Sequence, residues 1–534
     1  MELLNQKAKR IMEECKSRAR DAGLCFGDSS LEYLVTNKDM TELSPKLMIP
    51  TLYNYWVNDV EVLKGKGIYE AYPNNPFETV INSRPAISFY NDNNPDWLNI
   101  MIFYHVLAHI DFFQNNRFFK HTWNDDFVGQ ALADKRLIEQ LRGEQGRWVD
   151  YVIEFARSID NITNFYNLLH YDYNKDRDVS LRLNYYFEVF LQQEKKTGES
   201  LVFNEIERYN GFVESHGALA ESIFFSELKD IYPEFNALFT KWSEKNNKSK
   251  RFDLLSYIND HSPFLAKQKN IWMKEILAIV RNTANYFAPQ IRTKILNEGW
   301  ASYWHDNLFT ADPRITGHEV DYALVNAKVT SISRVGLNPY AIGLRLVEYV
   351  KELSNKGKFD YRYSLITNAE NRLAYNKNTN QGTESIFKLR SDFSDFSLIN
   401  TFIDQDFIDK HELFVTGKRI NKQENVIDYY VKSRNYKDYK RMITDSLYHP
   451  PKIDVDEQKT SEETLYLTHL FEGKQLVFDD LADVLRGLEF LWGGEVQLET
   501  TEIHAMKGSD NKNLFDYKRV VYTMSKKKIK RAEL

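Results

Sequence analysis

Cysteine is almost missing from this chain: 534 residues hold two, Cys15 and Cys25. Two thiols near one end cannot staple a protein of this length, so a disulfide scaffold is excluded and a reducing compartment is implied. Long apolar runs are missing as well. Nowhere do about 18 apolar residues follow one another, and the opening MELLNQKAKRIMEECKSRAR mixes charged and apolar residues with no apolar h-region. Neither a membrane span nor a signal peptide is predicted, and the expectation is a cytoplasmic protein. Excess basic charge is the third absence. The formal net charge is -6, with Lys and Arg scattered along the chain. Nucleic acid is therefore not an implied partner, because aromatic residues without a basic groove do not make a single-strand platform. The one basic run, SKKKIKR at 525–531, reads as a solvated C-terminal tail.

What the chain does have is apolar and aromatic bulk. Hydrophobic residues make up 43%, with 32 Tyr and 34 Phe, enough for several cores at roughly 100–200 residues per domain. Residues 1 to 22 read as a helix stopped at Asp21-Ala22-Gly23. From 44 to 98, Pro, Asn and Gly punctuate aromatic pieces such as IPTLYNYWV and GKGIYEAYPNNPF, which predicts irregular structure pinned by aromatics. Gly65 and Gly67 lack the rest of a nucleotide-binding fingerprint and read as a turn. Helical periodicity then dominates through 334, in WLNIMIFYHVLAHIDFF (97–113), FVGQALADKRLIEQL (127–141) and RWVDYVIEFARSI (147–159). Asn338 and Pro339 fit the cap and first position of another helix.

After about 356 turn signals separate short β-branched and aromatic runs, ELFVTGKR, NVIDYYVKS and YKRMITDSLY. The last stretch gives ETLYLTHLF, a turn at Glu472-Gly473-Lys474, a helix LVFDDLADVLRGLEFLW closed by Gly493-Gly494, then EVQLETTEIHA and FDYKRVVYTM. The expected class is α+β: a large, mostly helical N-terminal region, for which a zincin-like helical core is one option, followed by a small C-terminal α+β domain. The expected boundaries are 1–335 for the helical part, 336–440 for a mixed middle region and 441–534 for the C-terminal domain.

Three polar clusters interrupt the apolar helices. His105 and His109 stand i, i+4 in MIFYHVLAHIDFFQNN, a spacing that lets two imidazoles reach one divalent ion and also suits two core histidines. In NEGWASYWHDNL, Glu298 and His305 are seven residues apart and leave one helical face; an ion pair of Glu298 with Arg292 or Lys294 is the plainer alternative. The third cluster, His318, Glu319 and Asp321, opens a helix, where acidic residues normally face the dipole. Trp300 and Trp304 read as packing residues whose N–H groups can serve nearby carboxylates. Together these give a zinc site of His105, His109, Glu298 and His305, with Glu319 or His318 as acid/base. A zinc peptidase places its base after the first histidine, and here that residue is Val106, so Glu319, Glu298 itself or Asp111 must supply it. The competing reading is a noncatalytic regulatory scaffold.

The pieces HIDFFQNN, NEGWASYWH, HEVDYALVNAK and GLNPYAIGLRLVEYV, with DFSLINTFIDQDFIDKHELF and LVFDDLADVLRGLEFLWGG, resemble the stage V sporulation protein R (SpoVR) family from about residue 20 to 525. The matching positions are His109 with Phe112 and Phe113; Glu298, Gly299, Trp300 and His305; and His318, Glu319 and Asn326. The resemblance implies a cytoplasmic bacterial protein of spore cortex or, in non-sporulating relatives, of envelope and stationary-phase physiology. It also implies two partners, a PrkA-type serine kinase and a von Willebrand A-like protein. A metal hydrolase in that setting would act on an amide or peptide bond of peptidoglycan precursors or recycled fragments.

Overall fold

The computed structural model describes residues 2–3, 5–27, 30–36, 79–122, 127–160, 162, 181–195, 199–247, 253–333, 336–421, 426–447, 450–507 and 513–534. The aromatic pieces expected between 44 and 78, with the Gly65–Gly67 turn, lie outside these residues. No helix among those described is long and apolar enough to cross a membrane. The chain divides into two compact units, one of residues 1–161, 262–451 and 479–493, the other of 162–261, 452–478 and 494–534.

In the first unit, helix α1 (Gln6–Asp21) starts where the Asn5 side chain accepts from Ala8 N, and the chain leaves it through Gly23 at φ +103°. Met12, Cys15 and Ala19 form its buried stripe, at the three- and four-residue steps of a helix face. Strands β1 (Glu2–Leu3), β2 (Ser30–Val35), β3 (Thr79–Ile81) and β4 (Ala86–Asn91) form a sheet in the order β1-β2-β4-β3, with β2 and β4 parallel. Helix α2 (Asp96–Asn115) is buried on every side from Ile100 to Phe113, as expected of a helix apolar all round. Helix α3 (Lys294–Thr310) packs against it, followed by α4 (Glu319–Val329) and α5 (Pro339–Asn355), whose start is capped by Asn338 with Pro339 first, as the sequence predicts.

Helices α3 and α5 touch backbone to backbone. A methyl group built on Gly299 would lie 2.2 Å from the carbonyl carbon of Gly343, and one on Gly343 would lie 2.1 Å from Ile295 O. Only glycine at both positions permits this approach. The contact fixes Glu298, beside one glycine, relative to Tyr340, one turn before the other.

Helix α6 (Gly382–Asp392) and helix α7 (Asp395–Phe402) complete the packing around α3. Strands β5 (Val415–Asn421) and β6 (Val426–Ser433) form a separate antiparallel pair. The run YKRMITDSLY, one of the short β-branched and aromatic runs of the mixed middle region, is mostly helix α8 (Tyr436–Ser446). Asn435 caps it by accepting from Lys437 N, and Tyr439 and Ile443 bury at an i, i+4 step; burial on one helical side outweighs the β-propensity of the run.

The second unit holds a cluster of aromatic side chains, Tyr185, Tyr186, Phe190, Phe224, Phe225 and Phe235, and a five-stranded sheet. Its strands β7 (Lys452–Val455), β8 (Thr464–Leu470), β9 (Glu495–Lys507), β10 (Asn513–Ser525) and β11 (Lys528–Glu533) lie in the order β11-β10-β9-β8-β7. The β8–β9 pair is parallel, so the chain between them must cross over. Helix α9 (Phe478–Trp492), whose residues from Asp479 on belong to the first unit, lies in that stretch of chain, and Gly493 at φ +80° ends it. The basic run is exposed, as expected of a solvated tail, but it is a strand: Lys526 and Lys527, both at positive φ, turn the chain so that β11 pairs with β10. Two positive-φ residues give the hairpin turn whose twist matches that of the strands.

Candidate metal centre

Helix α2 carries His105 and His109 one turn apart, their rings edge to face at 4.6 Å between centroids. Helix α3 brings Asn297, Glu298 and His305 to them. The two helices are tied two residues further along by Asp111, whose carboxylate accepts from Trp300 Nε1 at 2.9 Å and Cys25 N at 2.7 Å and pairs with Arg390 at 3.2 Å. Burial pushes the Asp111 carboxyl up to about 6, against the pull of Arg390. Asp395 begins α3 by accepting from Ile295 N and Leu296 N, at 2.9 and 2.8 Å, and burial pushes its carboxyl up to about 7.

One ligand atom each from His105, His109 and Glu298 lies within 4.8 Å of the others. Glu298 Oε2 stands 3.7 Å from His109 Nε2 and 3.9 Å from His105 Nε2. It is buried and accepts no hydrogen bond among the described residues. Burial raises the Glu298 carboxyl, but the His105 and His109 rings together with a hydrogen bond from Tyr340 outweigh it and hold the group below the usual range. Burial drives His105 the other way, to about 3, and His305 to about 4, so both rings are neutral near pH 7 and each keeps one lone pair.

The orientation of His109 follows from its neighbour. Its Nδ1 lies 2.9 Å from Asn297 Oδ1, an oxygen that can only accept. The hydrogen is therefore on Nδ1, and the Nε2 lone pair faces Glu298. His105 Nδ1 faces His305 Nδ1 at 2.8 Å, and His305 Nε2 faces Asn326 Oδ1 on α4 at 3.2 Å. Tyr340 on α5 stacks over His105 at 6.2 Å.

Of the residues expected to form a site, His105, His109 and Glu298 come together and His305 stands behind His105. His318 stacks on Trp97 at 5.8 Å, and Glu319, on the exposed start of α4, accepts from Gly317 N; neither touches the trio. Asp111 is engaged by Trp300, Cys25 N and Arg390 and, at 3.4 Å, by Asn115 Nδ2. Trp300 serves a carboxylate as expected, whereas the buried Trp304 Nε1 has no hydrogen-bond partner among the described residues. Sequence reasoning gave no part to Asn297, Asp306 or Tyr340. The signal for two of them was adjacency, since Asn297 precedes Glu298 and Asp306 follows His305.

Comparison with known proteins gives a consistent assignment. Over 485 residues the chain is 21% identical to the uncharacterized protein YcgB of Escherichia coli (strain K12), covering 87% of this chain and 86% of that protein. No solved structure matches. The family model described as SpoVR like protein matches residues 2–449, a span containing every residue of the trio, and the chain belongs to the SpoVR family.

Proposed function

We propose that this SpoVR-family chain holds a divalent metal ion between His105, His109 and Glu298. The observation that carries the reading is the buried Glu298 Oε2, which accepts no hydrogen bond among the described residues and faces two imidazole nitrogens at 3.7 and 3.9 Å. Those separations are too long for hydrogen bonds. They are close to the roughly 3.3–3.5 Å between two ligands that share a tetrahedral zinc at 2.0–2.2 Å. Tyr340 hydrogen-bonds the Glu298 carboxylate, but a buried charged oxygen with no donor of its own still carries a desolvation cost, which a cation offsets. Two nitrogens and an oxygen suit zinc.

The family resemblance supplies the setting, spore cortex or envelope assembly, or stationary-phase physiology. There the ion, when bound, would supply a Lewis acid and a water of lowered pKa for hydrolysis of an amide or peptide bond. Among the described residues no free carboxylate stands beside the trio to act as base. A second reading is therefore a closed structural site in a noncatalytic scaffold, with the PrkA-type kinase and the von Willebrand A-like protein as partners. The burial of His105 and His109, each 4% exposed, favours it, since catalytic zinc keeps an open position.

The test is elemental analysis of the purified protein. Stoichiometric zinc, lost in Glu298→Ala and His109→Ala, supports the centre. Protein that takes up no zinc on addition of the ion, and is indifferent to chelators, overturns it. Turnover of peptidoglycan fragments that stops on chelation would separate the hydrolase from the scaffold.

A further inference from the structure

A line of side chains ends at the proposed ion. Asp306 Oδ1 accepts from Asn326 Nδ2 at 3.2 Å, Asn326 Oδ1 faces His305 Nε2 at 3.2 Å, and His305 Nδ1 faces His105 Nδ1 at 2.8 Å. Tyr322, one turn before Asn326 on α4, also donates to Asp306. The two ends of an amide have fixed, opposite hydrogen-bonding character, whereas a neutral imidazole can exchange its donor and acceptor ends by changing tautomer.

With the NH2 group held by Asp306, the Asn326 carbonyl faces His305. The buried His305 ring, which also meets the backbone of Ala301, then donates from Nε2 to Asn326 and is left to accept at Nδ1. His105 must donate from Nδ1, which puts its lone pair on Nε2, the atom directed at Glu298. Reversing the amide reverses every link. His305 would accept at Nε2 and donate from Nδ1, and His105 would carry its hydrogen on Nε2, where it blocks a cation.

We propose that Asn326 and Asp306 are positioning residues of the metal centre, acting through His305 to hold His105 in the tautomer that binds a divalent cation. The proposal rests on the metal reading above. It assigns to α4 a part in a site whose ligands all lie on α2 and α3.

The experiment compares zinc affinity, by competition with a chromophoric chelator, and the visible spectrum of the Co2+-loaded protein. The proteins are wild type, Asn326→Leu, Asp306→Leu, Asp306→Asn and His109→Ala. Asn326→Leu and Asp306→Leu are expected to bind zinc roughly ten- to a hundredfold more weakly, with an altered Co2+ spectrum. Asp306→Asn, which keeps an accepting oxygen, is expected to bind as wild type does. A merely structural role would lower the melting temperature of the metal-free protein and leave affinity and spectrum unchanged. If both leucine variants match wild type while His109→Ala binds nothing, the proposal is overturned and the metal centre stands. If wild type itself binds neither Zn2+ nor Co2+, the metal reading falls and the proposal with it. Should Asn326→Leu not fold, the two Asp306 variants decide.

Discussion

Gly299 of α3 and Gly343 of α5 meet backbone to backbone, leaving no room for a methyl group on either: the added carbon would sit 2.2 Å from the Gly343 carbonyl carbon in one case and 2.1 Å from Ile295 O in the other. Both obstacles are backbone, so the helices themselves must separate. Gly343→Ala is expected to cost about 1–3 kcal/mol, the usual range for overpacking. Because Glu298 adjoins the contact, zinc affinity should fall as well. Urea unfolding and chelator competition check the two effects, and a Gly343→Ala protein as stable as wild type would show that the helices are not held at this distance.

Asp111 and Arg390 form a buried pair, 0% and 8% exposed at their side chains. Removing one partner of such a pair strands the other charge, at a cost of about 3–5 kcal/mol. Asp111→Ala is therefore expected to be severe, since Arg390, Trp300 Nε1 and Cys25 N lose their acceptor together. Trp300→Phe removes one donor and should cost less, although lost ring volume adds to the hydrogen bond. Chemical denaturation of the two variants ranks them, and the reverse order would contradict the network.

Two buried groups give opposite pH dependence. His305 sits at about 4 in the folded protein, below the roughly 6.5 of an unfolded histidine. Its contribution to stability is whole above about pH 6.5 and is lost as pH falls toward 4. Asp395, pushed up to about 7, keeps a proton that the unfolded chain releases near pH 4, so it lowers stability as pH rises from about 4 to 7. Difference curves separate them. Wild type minus His305→Gln should rise with pH over that range, and wild type minus Asp395→Asn should fall. Flat differences in urea midpoints would mean that these groups ionise as they do in water.

The two cysteines should differ in reactivity. Cys15 is fully buried against α2, and burial pushes its thiol up to about 11, whereas Cys25 is exposed. Iodoacetamide at pH 8 is expected to label Cys25 alone in the native protein and both after denaturation, because the thiolate is the nucleophile. Mass spectrometry of the peptides reads the result, and rapid labelling of native Cys15 would show that α1 does not stay packed on α2.

Much of the fold could be read from local pattern. The 3.6-residue stripe of α1, the all-round apolar α2, the Asn338-Pro339 start of α5 and the glycine after α9 are each set by neighbours in the chain. Local pattern left open what long-range burial decided, in the Tyr436–Ser446 helix, and what turn conformation decided, the strand pairing after Lys526-Lys527.

The site divides in the same way. Helical spacing by itself determined that His105 and His109 share a face, and that Glu298 and His305 share another. It could not show that seven residues also mean about 10 Å along the axis, so that Glu298 reaches Nε2 of the histidine pair while His305 meets the back of His105. Which face of α3 meets α2 was decided by the glycine crossing, the Asp111 tie and the Asp395 cap. All three join residues far apart in the chain, and only packing in three dimensions brings them into contact.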